Sequence, residues 1–382
     1  MVSTDLLGAP QARPGGPLGL SEGKSHGDAA GLSREVVKYG CDPGQSTSNR
    51  NRRYRRRHRV RGLSWFVEST TGERSSFHQV QRCGFALNSL VPIKERDGRC
   101  YPCNVITCGS VWCCPVCSAK IRARREVELE AATTEWVSRG GQLAMVTFTL
   151  RHDASMDLVD VLHSLLGSYR KLRNRKSFRR LRHLLVGQVR ALEVTYGENG
   201  WHPHLHLLLF VRDGVSQAEV EAEVQGLITD WRLLVESSLG AVPSVARAVD
   251  LLWFGSDALT AAGYVSKIAK EMTLADSKSG LDPFALLDVV GVGRDRAVAR
   301  FIEYANAMRG RQSIAWSKGL RDLFDLGVAK SDEELALDDD DMGDEVVDCC
   351  TRSQWNRFVR DGTVQDHLVW VERRLQTERR RE

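Results

Sequence analysis

Three histidines fall within five residues, at His202, His204 and His206, out of ten in the whole chain. Strand side chains alternate between faces, so His204 and His206, separated by Leu205, point the same way. Two imidazoles side by side chelate a single divalent ion. The surrounding sequence, ALEVTYGENGWHPHLHLLLF, reads as an apolar strand, a turn over Gly197, Glu198, Asn199 and Gly200, and a second strand. The Asn-Gly step predicts a hairpin, with a loop longer than the two-residue turn that fixes register outright. Such a hairpin brings Glu193 alongside as a third, oxygen ligand. Two His and one carboxylate leave coordination positions open for a substrate oxygen, which suits catalysis more than structure. A single strand His is ordinarily a satisfied, half-buried side chain. The density here, followed by the apolar run Leu207 to Phe210, argues for a metal instead. His202 is expected to face away from His204 and to serve a structural role.

The elements that must hold this hairpin follow from periodicity. Residues 118–139 read as a helix closed by Gly140 and Gly141. Residues 143–150 alternate as a strand, and residues 158–183 are helical and strongly basic. After the hairpin come a helix over 217–239, a strand over 245–254, a helix over 258–272 and another over 294–308. Residues 354–381 read as a final helical tail. Adjacent hairpin strands with helices packed on one face predict an α+β fold around an antiparallel central sheet.

Ahead of this core lies a cysteine-rich stretch holding Cys83, Cys100, Cys103, Cys108, Cys113, Cys114 and Cys117. These offer more thiolates than one tetrahedral zinc requires. Spacing alone selects the two C-x-x-C pairs, Cys100 with Cys103 and Cys114 with Cys117. At this density a zinc-binding module is expected rather than buried free thiols. Cys349 and Cys350, beside an acidic stretch, show no metal signature.

The chain has 382 residues with 42% hydrophobic and 27% charged, the proportions of a soluble globular protein. No apolar run approaches the roughly 20 residues that span a bilayer, and no signal-peptide core is evident, so a cytoplasmic location is expected. The net charge of +5 conceals an asymmetry, because ten acids and no Lys or Arg stand between Ser331 and Asp348. Arg50, Arg52, Arg53, Arg55, Arg56, Arg57, Arg59 and Arg61 concentrate the opposite charge. With Tyr54 and His58 interleaved, such a cluster suits a polyanion, since each phosphate contact releases condensed counterions. Four segments are expected: a disordered basic arm over 1–62, the zinc module over 63–120, a catalytic domain over 121–330, and an acidic linker with a charged tail over 331–382.

A metal held by two His and a carboxylate on a basic protein points to phosphodiester chemistry. Tyr264, in GYVSKIAKE, is the favoured nucleophile: Lys267 lies at i+3 on the same helical face, where it lowers the phenol pKa. Tyr304, in FIEYANAM, is its rival.

The segments CGSVWCCPVCSAKI, LEVTYGENGWHPHLHLLLF, GYVSKIAKE and YANAMRGRQSIAWSKGLRDL, in this order, resemble the replication initiators of actinobacterial rolling-circle plasmids. MVTFTLRH, from Met145, resembles the first motif of the same group, and the hairpin resembles the HUH motif (His, hydrophobic, His) of its superfamily. The resemblance covers roughly Cys83 to Leu323. It implies that His204, His206 and Glu193 hold Mg or Mn against the scissile phosphate of single-stranded plasmid origin DNA. It implies attack by Tyr264, aided by Lys267, giving a 5′-phosphotyrosyl link and a 3′-OH primer, with rejoining at termination. It further implies a structural zinc on Cys83, Cys108, Cys114 and Cys117, and host helicase and polymerase as partners. Arg52, Arg53, Arg55, Arg56, Arg57 and Arg59 are the expected DNA contacts. Where some initiators carry a Glu one turn before the Tyr, this chain has Thr260. Related transposases usually pair two tyrosines on the catalytic helix and relaxases place theirs ahead of the histidines; these are the neighbouring enzyme readings. A zinc-module DNA-binding regulator without catalysis is the alternative from another class.

Overall fold

The computed structural model describes residues 43–63, 67–68, 74–75, 78–254, 281–337 and 344–381. Its largest sheet has five antiparallel strands in the order Val249–Trp253, Gln142–Phe148, Gly200–Val211, Leu185–Gly197 and Ile314–Trp316. The two long hairpin strands lie at its middle and pair from Gly197↔Gly200 to Leu185↔Val211. Their loop is only Glu198 and Asn199, shorter than the sequence suggests. The tight return is possible because Gly200 takes φ +84, a conformation open to glycine.

Alternation divides the sheet into two faces. Ala144, Val146 and Phe148 join Leu205, Leu207 and Leu209 on one face, packed under Leu162, Leu165, Leu227, Trp231 and Phe301. Those five come from the helices Leu158–Leu172, Gln217–Leu239 and Arg294–Ala307. The other face presents Met145, Val189, Ala191, Leu208 and Phe210 to Leu129, Ala132 and Trp136 of the helix Pro115–Ser138. Helices therefore cover both faces, not one, because the even-numbered positions of the histidine strand become apolar beyond His206. Helix Gln217–Leu239 has the ends its sequence predicts: a Ser216/Glu219 capping box and Gly240 at φ 70. The predicted helix over 158–183 is two, Leu158–Leu172 and Lys176–His183, the second turning Phe178 and Leu181 inward. The predicted strand over 245–254 opens with a helical turn, Val245–Ala248.

A second, three-stranded antiparallel sheet joins distant parts of the chain, in the order Val346–Thr351, Leu90–Arg96 and Arg99–Pro102. Helices Arg352–Asp361 and Val364–Arg379 follow it and bury Trp355, Val359, Leu368 and Val371 against Val91, Ile93 and Cys100. Residues 344–381 are thus part of a packed core, where the sequence suggests a linker and tail. Apolar spacing in that stretch is masked by its charge until the strand partner Leu90–Arg96 is known.

The expected disordered arm over 1–62 is corrected at its C-terminal part, while residues 1–42 lie outside the described residues. Pro43–Arg61 is a 19-residue helix, and several of its arginines turn into the protein. Arg50 pairs with Glu372, while Arg61 donates to the Val359 carbonyl at 2.8 Å. Arg56 reaches Asp288 at 2.6 Å. A charge run reads as solvated only when nothing in the sequence reveals its partners, and these lie more than 200 residues away.

Candidate active site and cysteine centre

Paired residues of adjacent strands lie side by side on one face. The register Glu193↔His204, Ala191↔His206 and Thr147↔His206 therefore sets the acid, both histidines and the threonine on one surface. Glu193 Oε2 stands 2.9 Å from His206 Nε2 and 3.7 Å from His204 Nδ1. One ligand atom from each of the three lies within 4.8 Å of the others. Glu193 and His206 are buried and His204 is half-buried, so the group opens to solvent on the His204 side. Burial of the Glu193 carboxyl opposes its ionisation, but the adjacent His204 ring and the hydrogen bond with His206 outweigh this and hold it down at about 2. The acid is thus an anion at any physiological pH, as a ligand for a hard cation must be. Thr147 Oγ1 meets His206 Nδ1 at 3.0 Å, fixing the ring while Nε2 faces the acid. Sequence reasoning missed Thr147, since its place beside His206 depends on strand order.

His202 does not face away. Two residues before His204, it lies on the same face by the same alternation, edge-on to His152 with ring centroids 4.2 Å apart. Burial, then the neighbouring His152 and His204, push its pKa down to about 4, so it is neutral at physiological pH. His152 Nδ1 lies 3.1 Å from the Asn199 carbonyl oxygen, tying this pair to the hairpin turn.

Tyr264 and Lys267 lie outside the described residues. The rival tyrosine is a core residue: Tyr304 is 1% exposed, stacks on Trp201 at 5.8 Å and meets Trp112 edge-on at 6.3 Å. Burial raises its phenol pKa, the reverse of what a nucleophile needs.

Of the seven cysteines ahead of the core, Cys83, Cys108, Cys114 and Cys117 converge. Their Sγ atoms stand 3.6 Å apart for Cys83–Cys114 and Cys83–Cys117, and 3.8 Å for Cys108–Cys117. Four thiolates about a tetrahedral zinc at roughly 2.3 Å have edges of about 3.8 Å, so the donor set fits that ion closely. Cys114 also caps the helix Pro115–Ser138, its sulfur accepting from the Cys117 amide with Pro115 at the first helical position. The Cys-Pro-x-Cys pattern is thus a helix start and a ligand pair at once. The other C-x-x-C pair separates: Cys100 packs with the three-stranded sheet, and Cys103 is half-buried beyond it.

The Arg57 guanidinium is buried beside the cluster, with Nη1 4.0 Å from Cys83 Sγ, under the Tyr54 ring at 4.7 Å. Hydrogen bonds from Cys108, Cys114 and Cys117, with the Arg57 charge, lower the Cys83 thiol pKa. Gly84 makes room for this contact, since a Cβ there would come within 2.6 Å of Arg57 Cζ. Arg59 donates to the Leu287 carbonyl and to Asp288 at 2.6 and 3.0 Å. Arg56, Arg57 and Arg59 therefore serve the protein's own acids, carbonyls and thiols. Arg52 and Arg53 bond only to Asn49 among the hydrogen bonds of described residues, and Arg55 is exposed.

A family model described as "Replication protein" matches residues 103–221, from the cysteine module through the histidine hairpin. "Protein rep" of Streptomyces lividans is 33% identical over 350 residues, covering 72% of this chain and 76% of that protein. The chain belongs to the Rep family of plasmid replication initiators, of the actinobacterial type. A "Neomycin resistance protein" of Streptomyces cyanogenus is 32% identical over 159 residues, 35% of this chain and 36% of that protein. No solved structure matches the chain at a significant level. As a Rep initiator with an antiparallel α+β core and a cysteine module ahead of it, the protein has the fold its sequence implies. Among the described residues no helix is long and apolar enough to cross a membrane.

Proposed function

We propose that this initiator nicks one strand of its plasmid origin by tyrosine attack, starting rolling-circle replication. The observation that carries the reading is the convergence of Glu193, His204 and His206 on one sheet face, half open to solvent. Their donor set, two imidazoles and a carboxylate, fits Mg or Mn, which when bound would supply Lewis-acid polarisation of a phosphate oxygen. Glu193 orients both rings, and Thr147 holds His206 so that its Nε2 stays turned to the acid. In this reading the Tyr264 phenol gives up its proton to solvent and Oη attacks phosphorus, the P–O3′ bond breaks, and the leaving 3′ oxygen takes up a proton from solvent. The downstream strand stays on the enzyme through a 5′-phosphotyrosyl bond, while the free 3′-OH primes synthesis. Lys267 stabilises charge on the phosphate oxygens. Attack by a 3′-OH on the phosphotyrosine reverses the exchange and rejoins the strand. The four-cysteine centre holds zinc and fixes the module ahead of the sheet. Host helicase and polymerase then extend the primer, in the cytoplasm.

The test uses the full chain, Mn and a 5′-labelled single-stranded origin oligonucleotide, read on a denaturing gel with mass spectrometry of digested peptides. A shortened labelled strand with the downstream fragment on the Tyr264 peptide is expected. Tyr264→Phe should lose the adduct and keep DNA binding. Cleavage without attachment would indicate a water-activating nuclease instead, and binding without cleavage a non-enzymatic regulator.

A further inference from the structure

The strand Val346–Thr351 carries Asp348 and Cys350 two residues apart, so both face the helix Val364–Arg379 packed beside it. From that helix His367 points back at them. Its Nε2 lies 3.2 Å from Cys350 Sγ and 3.4 Å from Asp348 Oδ2, and the three ligand atoms lie within 4.8 Å of one another. One ring nitrogen thus addresses a thiol and a carboxylate together. That is the disposition of three groups around a common cation. Bond lengths of about 2.3 Å to sulfur and 2.0–2.2 Å to nitrogen or oxygen give tetrahedral edges of about 3.5 Å for S···N and 3.4 Å for N···O. The observed distances match these within a few tenths of an ångström.

The ligands are held for the purpose. His367 stacks on Phe358 at 4.6 Å and on Trp370 at 5.9 Å, with interplanar angles of 16° and 19°, which restrains the plane of its ring. Cys350 is 5% exposed, and the His367 and Asp348 side chains 12% and 21%, so the group is enclosed with one side open. Arg374, stacked on Trp370 at 5.2 Å, places Nη1 3.9 Å from Asp348 Oδ1 and offsets the charge of a thiolate and a carboxylate together. None of these residues belongs to the four-cysteine centre or to the histidine face.

We propose that Asp348, Cys350 and His367 form a second zinc site, with its fourth position open to water. On binding, the Cys350 thiol proton passes to solvent and the thiolate takes the ion. The metal staples the strand Val346–Thr351 to the helix Val364–Arg379. That same helix carries Glu372, the partner of Arg50, so the staple also steadies the contact with the helix Pro43–Arg61.

The test titrates the full chain, stripped of metal under reducing conditions, with zinc against a chromophoric chelator. Because the histidine face also offers a zinc donor set, the titration is run on His204→Ala/His206→Ala. Two zincs per chain are expected there, and one when Cys350→Ser or His367→Ala is added, with the tighter four-cysteine site filled. Asp348→Asn, the mildest change, should keep two sites and weaken one at least tenfold. Retention of the four-cysteine zinc shows that each variant is folded. A single zinc in His204→Ala/His206→Ala, or two equally tight zincs once Cys350→Ser or His367→Ala is added, would overturn the proposal.

Discussion

Replacing Arg57 by Met keeps the aliphatic stem of the side chain and removes its charge. In the folded chain that charge lies 4.0 Å from Cys83 Sγ, buried, with Tyr54 over its other side. At an effective dielectric of about 20, two unit charges at this distance interact by about 4 kcal/mol. When the cysteine centre is filled, its four thiolates exceed the charge of a divalent ion, so the guanidinium stabilises the filled state. Without metal the Cys108 and Cys114 thiols are pushed up and only those of Cys83 and Cys117 are lowered. The buried guanidinium then faces less negative charge and pays its own desolvation. Arg57→Met should therefore lower zinc affinity by up to roughly a thousandfold, at 1.4 kcal/mol per decade. Stability of the metal-free chain should hardly change. Arg57→Lys, which keeps the charge but not the planar fork, should recover part of the affinity. Chelator competition gives the affinity and urea unfolding of the stripped protein gives the stability. Equal zinc affinity in the wild type and Arg57→Met would refute the argument. So would a large stability loss confined to the metal-free state, because that would make Arg57 a packing residue.

Gly200→Val forces a β-branched residue to φ +84 and drives its Cβ to 2.9 Å from Ala154 Cα. A cost of about 1–3 kcal/mol for the backbone alone should appear in urea unfolding, together with weaker Mn binding at the histidine face. An unchanged midpoint would show that the turn relaxes freely. Burial lowers the His202 pKa from 6.5 to about 4, so between these values the unfolded chain binds more protons than the folded one. Stability should therefore fall as pH drops from about 6.5 towards 4, and His202→Gln should flatten that slope; an identical slope in the variant would contradict this. Arg52→Ala, Arg53→Ala and Arg55→Ala together should reduce the salt dependence of DNA binding by up to about three phosphate contacts. Arg56→Ala, which breaks contacts to Asp282 and Asp288, should lower stability and leave that slope unchanged. The reverse pattern in the two salt titrations would restore the solvated-arm reading.

The parts of the site that were legible in the sequence are those governed by local rules. His204, His206 and Glu193 could be placed together because alternation and one hairpin fix all three. The same rule, applied to His202, would have put it on their face. What remained illegible depends on partners far along the chain. Thr147 reaches His206 only because its strand is the hairpin's other neighbour. The Pro43–Arg61 helix looks like a solvated run until Asp288, Val359 and Glu372 are brought to it. Cys350 looked inert beside Cys349 because its two companions include a histidine 17 residues on, across a helix boundary. Spacing alone preferred Cys100 and Cys103, yet the β-strand Arg99–Pro102 puts Cys100 into a different core.

Tyr304 joins the cysteine module to the histidine strand through packed aromatic rings. Trp112, in the loop between Cys108 and Cys114, donates to the Arg311 carbonyl at 2.7 Å and meets Tyr304 edge-on. Tyr304 stacks on Trp201, whose backbone is continuous with His202 and whose indole donates to Glu303 at 2.9 Å. Glu303 also accepts from the Leu158 amide at 2.8 Å, fastening the helix on the opposite face of the sheet. A metal bound by the four cysteines would therefore also position the loop carrying Trp112 and, through Tyr304 and Trp201, the start of the histidine strand. Rigid aromatic packing transmits position in this way because close-packed cores resist small displacements. The buried tyrosine resembling a nucleophile is then a structural link between the two centres, which accounts for a phenol held fully inside the protein.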